Sequence, residues 1–286
     1  MARLGLIQMT SGSSVSDNLQ AIERQLAQLA KQKVTWAFTP ENAILFGRHL
    51  DYRQQAEPLL QGPIQQKLAK LARRYQMWFL VGSLPIRRQN GITSSSILFN
   101  PQGERVADYD KLHLFDVEIA DSHLDVEIAD SHHRYRESAT FTAGNRVVVV
   151  DTPLGMLGLS ICYDLRFPQL YCQLRQQGAQ VLLVPAAFTA VTGKAHWQIL
   201  LQARAIETQC WVIAVGQTGR HPCGRETWGH SMVVSPWGEV IASLAQEPGC
   251  LVVEIDVKQI ESIRRTMPVM EHTRFYNQLI EKKNPL

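Results

Sequence analysis

The sequence predicts an α/β fold in which helices cover mixed sheets. Three observations predict it: short β-rich runs alternate with amphipathic helical stretches, the second half repeats the alternation of the first, and no Pro/Gly/Ser-rich linker separates the halves. The 286 residues therefore read as one domain spanning 1–286. Apolar residues make up 45% and charged residues 19%, enough apolar side chain for a large core and far from the composition of a disordered chain.

Leu4–Met9 is the first expected strand. Over Asp17–Lys31, Leu19, Ile22, Leu26 and Leu29 recur at spacings of 3, 4 and 3, which predicts a helix with one buried face. Val34–Phe38 resumes as a strand. Pro63 suits a first helical position, Ile64, Leu68 and Leu71 form the inward face behind it, and Met77–Val81 is the next strand. Ile97–Asn100 and Val106–Tyr109, joined through Asn100-Pro101-Gln102-Gly103, predict a hairpin. In the second half the expected strands are Val147–Val150, Leu157–Ile161, Val181–Pro185, Trp211–Gly216 and Leu251–Ile255. Helices are expected over about Phe167–Gln176 and Ala195–Gln209, and a hairpin over Ser231–Leu244 turns at Pro236-Trp237-Gly238.

The charge pattern excludes several classes of function. The net charge is +3, and the basic residues come as pairs (Arg73-Arg74, Arg87-Arg88, Arg264-Arg265, Lys282-Lys283) rather than as a stripe, so no nucleic-acid footprint is expected. The longest apolar run, Val181–Phe188, is interrupted by Pro185 and falls well short of a membrane span. The first residues pass directly into a polar Ser/Gly segment without the apolar core of a secretory signal, and a cytoplasmic location is the expectation. Five scattered cysteines (162, 172, 210, 223 and 250) without a Cys-x-x-Cys pattern argue against a disulfide framework and against a zinc knuckle.

One segment stands apart. Asp116–Leu124 recurs at Asp125–His133 with only the last residue changed. Its histidines and carboxylates lack a compact ligand spacing, so a duplicated, solvated loop is the favoured reading over a metal site.

The chemistry concentrates at Cys162. It follows the apolar strand and precedes a helix announced by Pro168, a strand-to-helix turn where developing negative charge lies near helical N–H groups. A thiol there is more often a small buried hydrophobe; as a nucleophile it needs a base or a positive field. Glu41 and Lys111 each sit just past an expected strand, where a sheet presents catalytic groups, although either alone reads equally as a solvated turn residue.

Together the three residues resemble a family. Pro40-Glu41-Asn42, Tyr109-Asp110-Lys111-Leu112-His113-Leu114-Phe115-Asp116 and Cys162-Tyr163-Asp164-Leu165-Arg166-Phe167-Pro168 are similar, in order, to the Glu, Lys and Cys motifs of the nitrilase superfamily of carbon–nitrogen hydrolases. Supporting matches include Glu137-Ser138 ahead of Phe141-Thr142-Ala143-Gly144, Pro185-Ala186-Ala187-Phe188, Ala203-Arg204-Ala205-Ile206-Glu207 and Gly229-His230-Ser231. The resemblance spans nearly the whole chain. It implies an αββα sandwich without metal or other cofactor, assembled as a homodimer by sheet extension, that acts on a small-molecule amide. It also implies roles: Cys162 as nucleophile, Glu41 as general base and later acid, Lys111 as the cation facing the oxyanion with the Tyr163 N–H, and Glu137 as a second carboxylate that orients Lys111 or assists proton transfer. The duplicated segment lies between Lys111 and Glu137 and lengthens a stretch that commonly borders the site.

Within the superfamily the motifs are most similar to the deaminated glutathione amidases, which implies cleavage to 2-oxoglutarate and cysteinylglycine; the ω-amidases, acting on 2-oxoglutaramate, share most of them. An anionic 2-oxo acid needs cations and hydroxyls, for which Tyr163, Arg166, Phe188, Thr189, Thr192 and His196 are the candidate pocket residues. Arg166 reads equally as a structural partner of Asp164 or Glu207, His196 as a core residue, and Thr189 and Thr192 as turn residues. A cysteine–histidine hydrolase using His196 or His230 and a non-enzymatic partner-binding sandwich are the competing readings.

Overall fold

The computed structural model describes residues 1–118, 134–276 and 278–279. Two sheets form its centre. One is ordered Gly249–Ile255, Ala2–Gln8, Trp36–Phe38, Trp78–Arg88, Gly91–Phe99, Arg105–Asp110, with Glu57–Pro58 added to the far end of Trp78–Arg88. The other runs Val240–Ser243, Met232–Val234, Trp211–Gly216, Val181–Ala186, Gly155–Leu159, Val149–Thr152. Each has three parallel strands at its middle, flanked by antiparallel neighbours.

Side-chain alternation along the strands makes the layers. In the first sheet Leu4, Leu6, Trp36, Phe38, Leu80 and Leu98 join a core shared with Leu157, Leu159, Leu183 and Ile213 of the second. The opposite face of that sheet, with Ile7, Ala37, Phe79, Val81 and Ile97, is covered by Ile22, Leu26 and Leu29 of the Val15–Lys31 helix and by Ile64, Leu68 and Leu71 of the Pro63–Tyr75 helix. Leu170 and Leu174 of the Pro168–Gln176 helix and Trp197, Leu201 and Ala205 of the Ala190–Thr208 helix pack against the second sheet. The layers are helix, sheet, sheet, helix: the αββα sandwich that the resemblance implies.

Three departures from the sequence reading have physical causes. The strand expected to stop at Val81 continues to Arg88 and pairs with Gly91–Phe99. Pro85 looks like a terminator, but it lies between the stretches where this strand pairs with Trp36–Phe38 and with Glu57–Pro58, so its missing N–H removes no ladder bond on that side. The helix expected from Ala195 starts at Ala190, with the Thr189 hydroxyl accepting from the Thr192 N–H at 3.3 Å. Gly193, which reads as a breaker, is required inside that helix because a Cβ there would lie 2.3 Å from the Trp228 Cβ. The strand expected over Val147–Val150 is shifted to Val149–Thr152, in register with Gly155–Leu159. Of the duplicated units, Asp116–Glu118 pairs with Arg134–Arg136, and the remainder lies outside the described residues.

Gly82 is where the scaffold meets the site. A Cβ at this position would stand 2.3 Å from the Thr39 and Pro40 carbonyl oxygens, immediately before Glu41, and the Gly82 N–H donates to the Thr39 hydroxyl at 3.0 Å. Gly82→Ala is expected to lower stability by ~1–3 kcal/mol through overpacking and to cut turnover by displacing Glu41. Chemical denaturation paired with a rate assay checks both; an unshifted midpoint would show that the strands separate without cost.

Candidate active site

Four chain segments, each leaving a strand or a short turn, bring their polar ends to one place between the sheets. Glu41 lies three residues beyond Trp36–Phe38, Lys111 follows Arg105–Asp110, Glu137 opens the single turn Glu137–Ala139, and Cys162 opens the 3-10 turn Cys162–Arg166. Lys111 Nζ lies 2.7 Å from Glu41 Oε1 and 3.0 and 2.8 Å from the two oxygens of Glu137. The Ala187 N–H, just past Val181–Ala186, donates to Glu41 Oε2 at 2.9 Å, and the Phe115 N–H donates to Glu137 Oε2 at 2.6 Å. Glu41, Lys111 and Cys162 are all buried.

The backbone around them is held from behind. The Gln217 side-chain amide donates to the Glu41 carbonyl at 3.0 Å, and the Asn42 N–H donates to the Ser83 hydroxyl at 2.8 Å. Cys162 takes φ = +49°, the left-handed region, so the turn that aims its sulfur is strained and must be braced. Asp164, fully buried, provides the brace: its carboxylate accepts from the Ile161 N–H at 2.9 Å, the Tyr109 hydroxyl at 2.7 Å and the His113 N–H at 3.0 Å. One carboxylate thus ties the cysteine turn to the segment on both sides of Lys111. From the other side Arg204 Nε donates to the Leu165 carbonyl at 3.0 Å.

The electrostatics follow from counting charges. Burial works against the Lys111 ammonium, but Glu137 and Glu41 outweigh it and hold its pKa well above the ordinary lysine value. Burial raises Glu137 above the usual carboxylate range; Lys111 opposes this and the Glu41 charge adds to it. A Cys162 thiolate would be a third negative charge facing one ammonium. Burial and Glu41 accordingly push the Cys162 thiol well above its ordinary pKa, with Lys111 only partly offsetting them. That balance favours the protonated thiol at rest.

These groups open into a cavity of about 390 Å³. Tyr163, Arg166, Phe188, Thr189 and Thr192 line it, as expected. Arg166 pairs with neither Asp164 nor Glu207; Glu207 is engaged by Arg204 at 3.1 Å, and the Arg166 guanidinium lies 5.2 Å from the Phe188 ring centroid. Thr189 also caps the helix, with its hydroxyl 2.8 Å from that of Thr192. His196 is neither in the core nor on the cavity wall: it is exposed, with Nδ1 3.2 Å from Arg166 Nη1. His230 stacks on Trp228 and bonds its carbonyl, also away from the cavity lining.

Sequence reasoning missed much of the rest of the wall, including Tyr52, Phe115, Tyr135, Ala187, Arg225 and Thr227. Tyr52 and Tyr135 sit in segments without periodicity, and Arg225 and Thr227 belong to the small Thr218–Arg220/Glu226–Trp228 ribbon and its turn, for which local sequence carries little signal. Among the described residues no group of three or more histidine, cysteine or carboxylate side chains is arranged to hold a metal ion.

The sequence pattern of the carbon–nitrogen hydrolase family matches residues 3–265. The chain belongs to this family. The hydrolase is 48% identical over 284 residues to the deaminated glutathione amidase of Yersinia enterocolitica, covering 98% of this chain and 96% of that protein. Its fold superposes on the NitFhit protein of Caenorhabditis elegans with a TM-score of 0.86 at 35% identity, covering 100% of this chain and 69% of that one. Nit3 of Saccharomyces cerevisiae, a member of the nitrilase superfamily, gives 0.83 at 26% identity, covering 96% and 97%. The hydrolase acts on carbon–nitrogen bonds other than peptide bonds, and no helix among its described residues is long and apolar enough to cross a membrane.

Two measurements test the site. Iodoacetamide alkylation of Cys162, followed against pH by peptide mass spectrometry, is expected to have its midpoint above the ordinary thiol value of ~8.5; a midpoint in the acidic range would mean a resting thiolate. Asp164→Ala leaves the buried Ile161 N–H, the buried Tyr109 hydroxyl and the half-buried His113 N–H without their acceptor. At ~1–3 kcal/mol for each, a loss of about 3 kcal/mol or more is expected in denaturant unfolding, and an unchanged stability would show that the cysteine turn is braced otherwise.

Proposed function

We propose that the hydrolase is a thiol-dependent amidase of small 2-oxo acid amides and that its substrate is deaminated glutathione, released as 2-oxoglutarate and cysteinylglycine. The observation that carries the chemistry is a Lys111 ammonium held between the Glu41 and Glu137 carboxylates in the same buried cavity that Cys162 lines. The 48%-identical relative named for deaminated glutathione supports the substrate, as does the unpaired Arg166 in the cavity wall.

The cycle follows from these positions. Cys162 Sγ attacks the amide carbonyl as its proton passes to Glu41, so negative charge moves from the Glu41 carboxylate to the carbonyl oxygen. Lys111 has three N–H donors; when the two Glu137 oxygens share one and Glu41 takes another, the third is available to the oxyanion, with the Tyr163 N–H at the start of the 3-10 turn beside it. Glu137 is a positioning group that keeps Lys111 charged and in place. Glu41 returns its proton to the leaving nitrogen, the C–N bond breaks and a thioester remains. Water then gives a proton to Glu41 while its oxygen attacks the thioester; the C–S bond breaks, the acid leaves, and the thiol regains its proton. The raised thiol pKa suits this order, because the proton leaves sulfur only as the C–S bond forms.

Arg166, backed by Phe188 and Tyr163, is the proposed anchor for the 2-oxo acid carboxylate, with Thr189 and Thr192 beside it. His196 acts through Arg166 in this reading and does not touch substrate. The reading extends to one hydrolase domain over the chain, a cytoplasmic setting and a homodimer, the last supported by the exposed Ile199 and Ile206 on the Ala190–Thr208 helix.

The competing cysteine–histidine and non-enzymatic readings predict different outcomes from one panel. Turnover of deaminated glutathione, 2-oxoglutaramate and a simple nitrile is compared for the wild type, Glu41→Gln and His230→Ala. Deaminated glutathione is expected to be the best substrate, and Glu41→Gln is expected to lose about 10²- to 10⁴-fold in kcat/KM. Full activity in Glu41→Gln, or its abolition in His230→Ala with the fold intact, would overturn the mechanism; preference for 2-oxoglutaramate would overturn the substrate.

A further inference from the structure

Among the described residues the cavity wall holds five cationic and three acidic side chains, an excess that the 2-oxo acid carboxylate at Arg166 does not exhaust. Arg48 and Arg136 are exposed, whereas Arg225 is half-buried. The Arg225 guanidinium lies 5.2 Å from the Tyr135 ring centroid and 5.9 Å from that of Phe46, a two-ring setting like that of Arg166 over Phe188 and Tyr163. Among the described residues no carboxylate forms an ion pair with Arg225, and its neighbour Glu226 is included in that statement. A half-buried arginine stacked on rings with its charge unanswered is a site prepared for an anion.

Its backbone is fixed. The Arg225 carbonyl accepts from the His221 N–H at 2.8 Å, and the His221 ring stacks on Phe46 at 3.8 Å and bonds the Thr227 hydroxyl at 2.8 Å. Thr227 bridges to Thr189, and the Trp228 N–H donates to the Phe188 carbonyl at 3.0 Å, so the ribbon is attached to the segment that also carries the Arg166 side of the pocket.

The two arginines reach the cavity from different segments. Arg166 belongs to the nucleophile's own turn, which places it with the acyl portion held on sulfur. Arg225 instead stacks on Phe46, in the segment that leaves Glu41, and on Tyr135, in the segment that enters Glu137. Glu41 is the group that protonates the leaving nitrogen, so the leaving amine and whatever it carries lie toward Arg225. We propose that Arg225 is a specificity residue that binds the free carboxylate of the leaving amine, so that the enzyme selects amides whose departing portion is an amino acid or short peptide. The inference rests on the amidase reading above and deepens it: cysteinylglycine carries such a carboxylate, and ammonia, the leaving group of 2-oxoglutaramate, does not.

The test compares kcat/KM for the 2-oxoglutaryl amide of cysteinylglycine with that of the same compound ending in a carboxamide, with 2-oxoglutaramate as a third substrate, for the wild type and Arg225→Gln. A charge-assisted contact predicts that the wild type prefers the free acid by about 10- to 100-fold and that the preference falls toward one in Arg225→Gln. The ratio is internal to each protein, so a general loss of activity does not move it, and the wild-type ratio stands without any variant. A wild-type ratio near one, or an unchanged ratio in Arg225→Gln, overturns the role of Arg225 and leaves the substrate reading standing. Hydrolysis of 2-oxoglutaramate with neither peptide amide accepted overturns both together.

Discussion

A lysine ammonium buried between two carboxylates is the constraint on which the rest of the structure depends. An isolated charge taken out of water costs far more than any single contact returns, so Lys111 persists in the interior only because Glu41 and Glu137 lie within 3.0 Å of its nitrogen. The cluster carries one surplus negative charge when both carboxylates are ionised, and burial together with the Glu41 charge pushes the neighbouring thiol pKa upward. The nucleophile's proton affinity therefore depends on its burial and on charged groups from other segments of the chain.

Such a cluster demands a rigid frame, because the partners come from segments far apart in the chain. Glu41 and Lys111 are separated by 70 residues and both leave the first sheet, while Cys162 leaves the second. The shared core between the sheets sets their separation, and the polar braces set direction: Asp164 to Tyr109 and His113, Gln217 to the Glu41 carbonyl, Arg204 to the Leu165 carbonyl. Several stretches that resemble family motifs turn out to contain braces. Arg204 and Ser231 lie off the cavity wall; Arg204 holds the cysteine turn, and Ser231 bonds the Gly216 N–H and Gln8.

Much of the fold was legible because apolar periodicity reports burial directly. The helices over Val15–Lys31 and Pro63–Tyr75 present the leucines and isoleucines that the 3–4 spacing selected, and the parallel strands are the apolar runs between them. Legibility failed where tertiary contact overrode a local signal. Pro85 and Gly193 look like breakers, yet one sits where no ladder bond is lost and the other where a tryptophan leaves no room for a side chain. The placement of His196 failed for a related reason: the helix begins a turn and a half earlier than expected, and the face it occupies points to solvent.

By itself the sequence determined the alternation of strands and helices, the position of a cysteine at a strand-to-helix turn, and, through ordered motifs, the family whose chemistry those residues carry. Only the tertiary structure decided that burial and Glu41 push the thiol pKa upward, that Arg166 forms no ion pair among the described residues, and that Arg225 faces the same cavity from a ribbon with no local signature. The reason is physical. Periodicity records whether a side chain leaves water, which is a property of its own segment, whereas protonation and charge pairing depend on distances between segments that the chain order does not specify.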